Sequence, residues 1–342
     1  MTPNTTSDLE PLVEAALPTA GLAAALEQEA LECGGHGLDA QHFERALFAG
    51  AREFLLRPGK GFRARLVETS FALTGGCAAR LPRAALEAIE LLHGGSLIVD
   101  DIQDDAEERR GGPALHRSLG VPRALNVGNW LYFVALSKLD DIGLDPSRAL
   151  AATRAAHRCL VRCHEGQALD LTLRIAELKR AEVAGVARTT SELKTGALMG
   201  FAARLGALVG RATQEDAELL SRFGESCGVV LQMLDDLGSF VAAERGEKGL
   251  EDLRGQRVNW VWAWAVESLD EITYKQLTKQ TARGEVLAEV RQRLAQAVEE
   301  RGRNAIRRSL GEALHRLEHR FGERPAFVNL SAELARLEKS YG

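Results

Sequence analysis

An apolar helical stripe that ends in acid constrains this chain more than any other feature. Within the helix expected over Pro82–Asp105, Ile89, His93, Leu97, Asp100 and Asp104 recur at intervals of three and four, the spacing of one helix face. A core helix would not finish on charge, whereas a helix lining a cavity with an apolar depth and a polar mouth would. The stripe runs into Asp100-Asp101-Ile102-Gln103-Asp104-Asp105-Ala106-Glu107-Glu108-Arg109-Arg110-Gly111, six carboxylates within nine residues and then two arginines. Asp100 and Asp104 lie one turn apart, and at roughly 5 Å with an effective dielectric near 20 their repulsion is about 3 kcal/mol. A cation between them removes that cost. Oxygen-only ligands suit a hard ion such as Mg²⁺, which takes one or two carboxylates and completes its shell with water and phosphate oxygens. Arg109 and Arg110 add planar donors suited to phosphate. The same run also fits a solvated acidic helix end, and His93 also fits a satisfied core histidine.

The rest of the chain points to helices. Alanine, leucine, arginine and glutamate recur, few segments are rich in Val, Ile, Thr or Tyr, and an all-α fold follows. A length of 342 residues allows one large domain or two, and 45% hydrophobic with 27% charged residues is ordinary globular composition. A net charge of −5 gives no general attraction to nucleic acid. Five cysteines without a CxxC pair argue against a disulfide framework and fit a reducing compartment. Asp8, Glu10 and Glu14 stand where a signal peptide needs positive charge, and no stretch reaches 18 apolar residues, so a cytoplasmic protein without a membrane span is expected.

In chain order, residues 1–7 are polar and expected to be loose, and Asp8 caps a helix that ends at Gly34-Gly35. A second helix runs from Asp39 to before Pro58. Arg57-Pro58-Gly59-Lys60-Gly61-Phe62-Arg63 then forms a turn that places Lys60 and Arg63 on one face near a helix start, either solvated or facing an anion. After Arg110-Gly111-Gly112-Pro113 breaks the acidic helix, His116 is expected in a loop. Helices follow over Arg123–Leu139, Asp145–Arg174 and Arg180–Val209. The second has a stripe ending on Gln167 and Asp170; the third holds Lys194-Thr195-Gly196, where Lys194 either snorkels or faces an anion. Cys159, Cys163 and His164 lack a second half of any zinc ligand set and read as helix-borne buried thiols. The helix from Gln214 to about Ala243 carries Gln232-Met233-Leu234-Asp235-Asp236-Leu237-Gly238-Ser239. Glu244–Arg257, with Lys248 and Asp252, is expected to be a charged loop. A helix resumes at Trp260–Trp264, and three amphipathic helices from Leu277 break near Gly302 and at Phe321–Pro325.

Two acidic pairs about 135 residues apart, each after an apolar run, resemble the trans-isoprenyl diphosphate synthases, the polyprenyl synthetase family. Gly59-Lys60 with Arg63 matches that family's GK-x-x-R element, and Glu90-x-x-His93-x-x-Ser96-Leu97-Ile98-x-Asp100-Asp101-x-x-Asp104 its first aspartate-rich helix. Arg109-Arg110-Gly111-x-Pro113-x-x-His116, Gln167-x-x-Asp170, Lys194-Thr195 and Gln232-x-x-Asp235-Asp236 match four more elements in register. The resemblance implies an all-α, single-domain isoprenoid synthase-type bundle over residues 1–342, with about ten or more helices around a deep central cavity, as a homodimer. It implies Mg²⁺-dependent condensation of an allylic diphosphate with isopentenyl diphosphate to a longer trans-prenyl diphosphate, C15–C20 or longer. Asp100, Asp104 and Asp235 would hold three Mg²⁺ ions, Mn²⁺ being a substitute, with Asp101 in support. Arg109, Lys194, Thr195, Gln167, Asp170 and Gln232 would complete that site, and Lys60, Arg63, His93 and Arg110 would hold isopentenyl diphosphate.

Three departures fall in the second half. Ser239 stands where a further Asp is usual, Gln256 where a lysine is expected with Arg257 beside it, and Leu231 where an aromatic residue commonly precedes Gln232. A terpene cyclase, a prenyltransferase with another acceptor and a regulatory subunit remain alternatives on this scaffold. The resemblance also assigns the cavity floor to Gly95 and Ser96, both small, so that a C20 or longer product passes and Gly95→Phe would shorten it. Deeper, Leu91, Leu92 and Trp130 are candidates to stop the chain.

Overall fold

A computed structural model describes residues 40–59 and 61–340, with a few single positions ahead of them. Lys60 and almost all of the helix expected over Asp8–Gly35 lie outside the described residues. The described chain is helical throughout apart from one short hairpin, as its composition requires. It divides into two compact units.

The first unit takes the chain up to Glu68 and from Gly76 to Thr153. The second expected helix is α1 (Ala40–Phe43), a π-helical turn (Glu44–Phe48) and α2 (Ala49–Leu55). The N-terminal turns of α3 (Phe62–Leu73) follow, then α4 (Arg83–Gln103), which is the acidic-ended helix. The strands β1 (Glu108–Arg109) and β2 (Gly112–Pro113) pair antiparallel, Glu108 opposite Pro113. Next come α5 (Leu115–Leu119), α6 (Val121–Ser137) and the first turns of α7 (Pro146–Thr172). His116 is therefore not in a loop: it is buried on α5, because the hairpin returns the chain to the core by Leu115.

The α4–α6 crossing is set by two glycines. A Cβ on Gly95 would lie 2.7 Å from the Gly128 carbonyl oxygen, and one on Gly128 would lie 2.9 Å from a Val99 methyl carbon. Real Cβ atoms do not approach that closely, so small residues here let the two backbones touch. Gly95 thus faces a neighbouring helix, and a phenylalanine there meets backbone rather than open space. Trp130 packs its ring on Phe48, centroids 5.3 Å apart.

The second unit comprises Thr69–Gly75 and the chain from Arg154 onwards. After the bulk of α7 come α8 (Val183–Ser191), a π-helical turn (Glu192–Gly196) and α9 (Ala197–Val209), nearly all of it buried. The helix α10 (Gln214–Val241) packs against α9 and against α14 (Leu287–Phe321); between them in sequence lie α11 (Gly246–Arg254), α12 (Trp260–Ser268) and α13 (Glu271–Ala282), and α15 (Pro325–Ser340) follows. Two expectations change. Glu244–Arg257 holds a helix rather than a loop, because Gly246 and Gly249 are close-packing positions against Arg291 and the Ser239 carbonyl rather than breaks. Gly302 does not interrupt α14: a Cβ there would sit 2.9 Å from the Trp264 ring, so the residue is small to admit that indole. The break at Phe321–Pro325 is where the sequence puts it.

Candidate active site

In the first unit, Asp100 lies in the last turn of α4 and Asp104 is its C-cap. The helix closes with Asp105 at φ 53°, while Asp105 N–H donates to the Ile102 carbonyl and Ala106 N–H to the Asp101 carbonyl. This is the Schellman pattern. Carboxylates at a helix C-terminus meet the negative end of the helix dipole, so the arrangement favours a cation beyond what charge repulsion alone asks for. Arg109 supplies positive charge to two of these carboxylates. Arg109 Nε donates to Asp101 Oδ1 at 2.6 Å, and its NH2 lies 3.7 Å from Asp100 Oδ2. Asp101 is fully buried, and burial raises its carboxyl above the usual range, with the Arg109 hydrogen bond and charge offsetting only part of the rise. Burial lowers the Arg109 pKa, but Asp101 and then Asp100 outweigh it, and the net shift is upward. Asp101 Oδ2 has no hydrogen-bond partner although buried. Farther out, Asp105 and Glu107 are exposed and held by Arg117 at 2.7 and 2.9 Å, as a solvated rim would be.

The other side of the same hairpin is cationic. Arg110 and Gly111 form its turn, both at positive φ (54° and 77°), as two-residue hairpin turns demand. The Arg110 guanidinium lies over Gly59, where a Cβ would come within 3.2 Å of Cζ. Arg63 NH1 donates to His93 Nε2 at 3.0 Å, which leaves the His93 proton on Nδ1, a buried atom with no partner. Burial, reinforced by Arg63, Arg110 and Arg109, holds His93 well below its ordinary pKa, so the ring is neutral. Glu90, one turn earlier, is pushed upward by burial despite Arg63 and Arg110. Ser96 is half-buried on α4, its hydroxyl donating to the His93 carbonyl.

In the second unit, Gly166 and Gly228 let α7 and α10 close on the π-helical turn that presents Lys194 and Thr195. Cβ atoms there would lie 2.6 Å from Lys194 N and 2.7 Å from the Gly196 Cα. Lys194 Nζ donates to Asp170 Oδ2 at 2.7 Å, and Arg257 NH1 to the same oxygen at 2.8 Å. Gln167 stands half-buried one turn before Asp170. Thr195 Oγ1 donates to Gln232 Oε1 at 3.0 Å, Gln232 Nε2 donates to Asp236 Oδ1 at 2.8 Å, and the Trp260 amide donates to Asp236 Oδ2 at 2.9 Å. Burial pushes Asp236 up to about 7 and the half-buried Asp252 up to about 6. Asp235 goes the other way. Burial would raise it, but Lys248 and Arg245, each on one carboxylate oxygen, hold it below the usual range.

The departures acquire physical reasons. Ser239 is fully buried, its hydroxyl spent on the Asp236 carbonyl, at a place where α11 packs close. Gln256 sits at φ 53° in a second Schellman end, Gln256 N–H donating to Leu253 and Arg257 N–H to Asp252, and this turn directs Arg257 to Asp170. Sequence reasoning missed two residues: Arg245, which no motif flags, and Arg57, which lies just before a turn that drew attention to its lysine instead.

Residues 45–298 match the family model described as "Polyprenyl synthetase". The chain belongs to the polyprenyl synthetase family. A geranylgeranyl diphosphate synthase of Methanosarcina mazei is 34% identical over 199 residues, 58% of this chain and 60% of that relative, so the chain matches under two thirds of its length. The fold is that of a geranylgeranyl pyrophosphate synthetase from Pyrococcus horikoshii (TM-score 0.73, 24% identity, 97% of this chain and 98% of that one). It is also that of a geranylgeranyl pyrophosphate synthase from Corynebacterium glutamicum complexed with isoprenyl diphosphate and magnesium (TM-score 0.73, 21% identity, 91% and 93%). No single helix among the described residues is long and apolar enough to cross a membrane.

Proposed function

We propose that the protein condenses an allylic diphosphate with isopentenyl diphosphate to give a trans-prenyl diphosphate of C20 or longer. The observation that carries this is the pair of opposed environments on one hairpin. Arg109 joins an acidic cluster suited to a metal-bound diphosphate, and Arg110 joins Arg63 and the unpartnered His93 Nδ1–H, suited to a diphosphate without metal. A cyclase needs only the first.

Mg²⁺ fits the donors. They are hard oxygens at a helix C-terminus, and Asp101 Oδ2 is an orphaned buried acceptor among them. Among the described residues no three His, Cys, Asp or Glu side chains converge as a closed ligand set, which is compatible with an ion held by one or two carboxylates and finished by water and phosphate. Asp100, Asp104 and Asp235 would hold such ions, three in all with Mn²⁺ as substitute. Bound metal would supply positive charge against the departing pyrophosphate. Arg109, held by Asp101, and Lys194, held by Asp170, would donate to that group's oxygens, with Thr195, Gln232 and Gln167 assigned to the same substrate. Lys60, Arg63, His93 and Arg110 hold isopentenyl diphosphate while its double bond attacks the allylic carbon, and the proton lost leaves with pyrophosphate. Ser96 keeps the path along α4 open to a growing chain.

We further infer one catalytic domain over residues 1–342, in keeping with a family match that takes in residues of both units. A homodimer is supported by Val121, Leu125 and Phe133, exposed along α6 by 48, 39 and 70%. A cytoplasmic location is proposed with it. The test is incubation with each C5 to C20 allylic diphosphate, with and without isopentenyl diphosphate, and mass analysis of the products. Elongation only with both supports condensation; consumption of the allylic diphosphate alone points to cyclisation or hydrolysis.

A further inference from the structure

The hairpin that separates the two diphosphate environments has two-residue strands, and such a ribbon is marginal by itself. Its turn also holds Arg110, a residue with a Cβ, at positive φ, which persists only where the surroundings over-determine it. One buried side chain does so. Arg57 NH1 donates to the Arg109 carbonyl at 3.0 Å and to the Pro113 carbonyl at 2.8 Å, one acceptor on each side of the turn. Its Nε and NH2 form a fork with Glu53 at 2.9 and 3.0 Å. A Cβ on Gly112 would sit 3.0 Å from Arg57 Cζ, so the strand is pressed against the guanidinium plane. Only an arginine can present a fork to a carboxylate and two further donors to carbonyls from one planar group.

We propose that Arg57 is a positioning residue that fixes the Arg109–Pro113 hairpin and thereby sets the guanidinium of Arg110, and to a lesser degree that of Arg109, for diphosphate binding. This rests on the diphosphate assignment above. The asymmetry comes from the side chains. Arg109 is held independently by Asp101, whereas Arg110 lies over Gly59 and depends on the path of its own backbone. Loss of Arg57 therefore weakens isopentenyl diphosphate more than the allylic substrate.

The test compares Arg57→Gln, Gly112→Ala and Arg180→Gln in the full chain. Gly112→Ala keeps Arg57 but pushes its guanidinium off the strand, and Gly112 is not at positive φ. Arg180 donates to the Val266 and Leu269 carbonyls in a similar clamp away from the proposed site. The expected result is a tenfold or larger rise in KM for isopentenyl diphosphate in Arg57→Gln and Gly112→Ala. The rise in KM for the allylic diphosphate is expected to be under threefold, and Arg180→Gln should lower Tm without moving either KM. Unchanged KM for isopentenyl diphosphate in both hairpin variants overturns the proposal, and if Arg57→Gln fails to fold, Gly112→Ala decides alone. Hydrogen exchange at the Gly111 and Gly112 amides is the second readout, faster in Arg57→Gln if the clamp exists. A wild-type protein that elongates nothing defeats the functional assignment, and the exchange rates still decide whether Arg57 holds the hairpin.

Discussion

At the end of α4, Asp100, Asp101 and Asp104 share Arg109, whereas on α10 the single carboxylate of Asp235 is gripped by both Arg245 and Lys248. The shifts follow the grip. Burial wins at Asp101, which rises, and the cations win at Asp235, which falls. Asp170 repeats the second pattern, with Lys194 and Arg257 on one oxygen. Two acidic sequences that read alike are thus in different states: at the first, one oxygen of the buried Asp101 is on Arg109 and the other has no partner, and at the second both oxygens of Asp235 are taken by cations. On the proposed metal assignment, a divalent cation meets an open acceptor in Asp101 Oδ2 at the first and displaces lysine and arginine from Asp235 at the second.

The largest effect that would break this comparison is at Asp100. Asp100→Ala should lower Mg²⁺-dependent pyrophosphate release about a thousandfold, the upper range for loss of one group that stabilises a developing anion. Full activity would reduce the stretch to a solvated helix end. On the other side, Lys248→Met should make Asp235 easier for a metal to reach. The Mg²⁺ concentration for half-maximal activity is expected to fall roughly twofold to tenfold, within about one pKa unit's worth of energy. A rise would show that Lys248 assists the metal instead of standing in for it.

The second half also carries a pH signature. Asp236 and Asp252 titrate at about 7 and about 6 in the folded protein, above the usual carboxylate value, so folding favours their protonated forms. That contribution is complete below about pH 4 and is lost as pH rises through 6 to 7. In metal-free protein, Asp252→Asn should therefore lose less thermal stability between pH 5 and 8 than wild type does. An identical loss would mean that Asp252 is not burdened by burial. The smallest effects lie in the Schellman ends at Asp105 and Gln256. Gln256→Gly should stabilise by about 1 kcal/mol in urea unfolding, whereas Asp105→Gly should gain only a few tenths, because Asp tolerates the left-handed region better than Gln. Equal gains would remove the strain argument for Gln256.

Much of the first half could be read from residues alone. A stripe at threes and fours fixes which face of α4 holds His93, Asp100 and Asp104, while the structure separates Asp105 and Glu107 from them as exposed partners of Arg117. What could not be read was the direction of close packing. Gly95 looks like an open floor in a string of letters, yet its missing Cβ makes room for the backbone of α6. Gly246, Gly249 and Gly302 look like breaks, yet each admits a side chain or carbonyl from another element. Likewise Arg245 and Arg57 act through contacts 10 and 52 residues away, and no local pattern reports those. Helix period is a property of neighbours in sequence, whereas the grip on Asp235 is a property of the packed second unit.

The most direct measurement is the ratio of pyrophosphate released to isopentenyl diphosphate consumed, taken with an allylic diphosphate and Mg²⁺, in wild type and in Asp100→Ala and Asp235→Ala. Coupling by both acidic sites gives one pyrophosphate per isopentenyl unit, no release without isopentenyl diphosphate, and loss of turnover in either variant. Release that ignores isopentenyl diphosphate, or wild-type turnover in either variant, would contradict it.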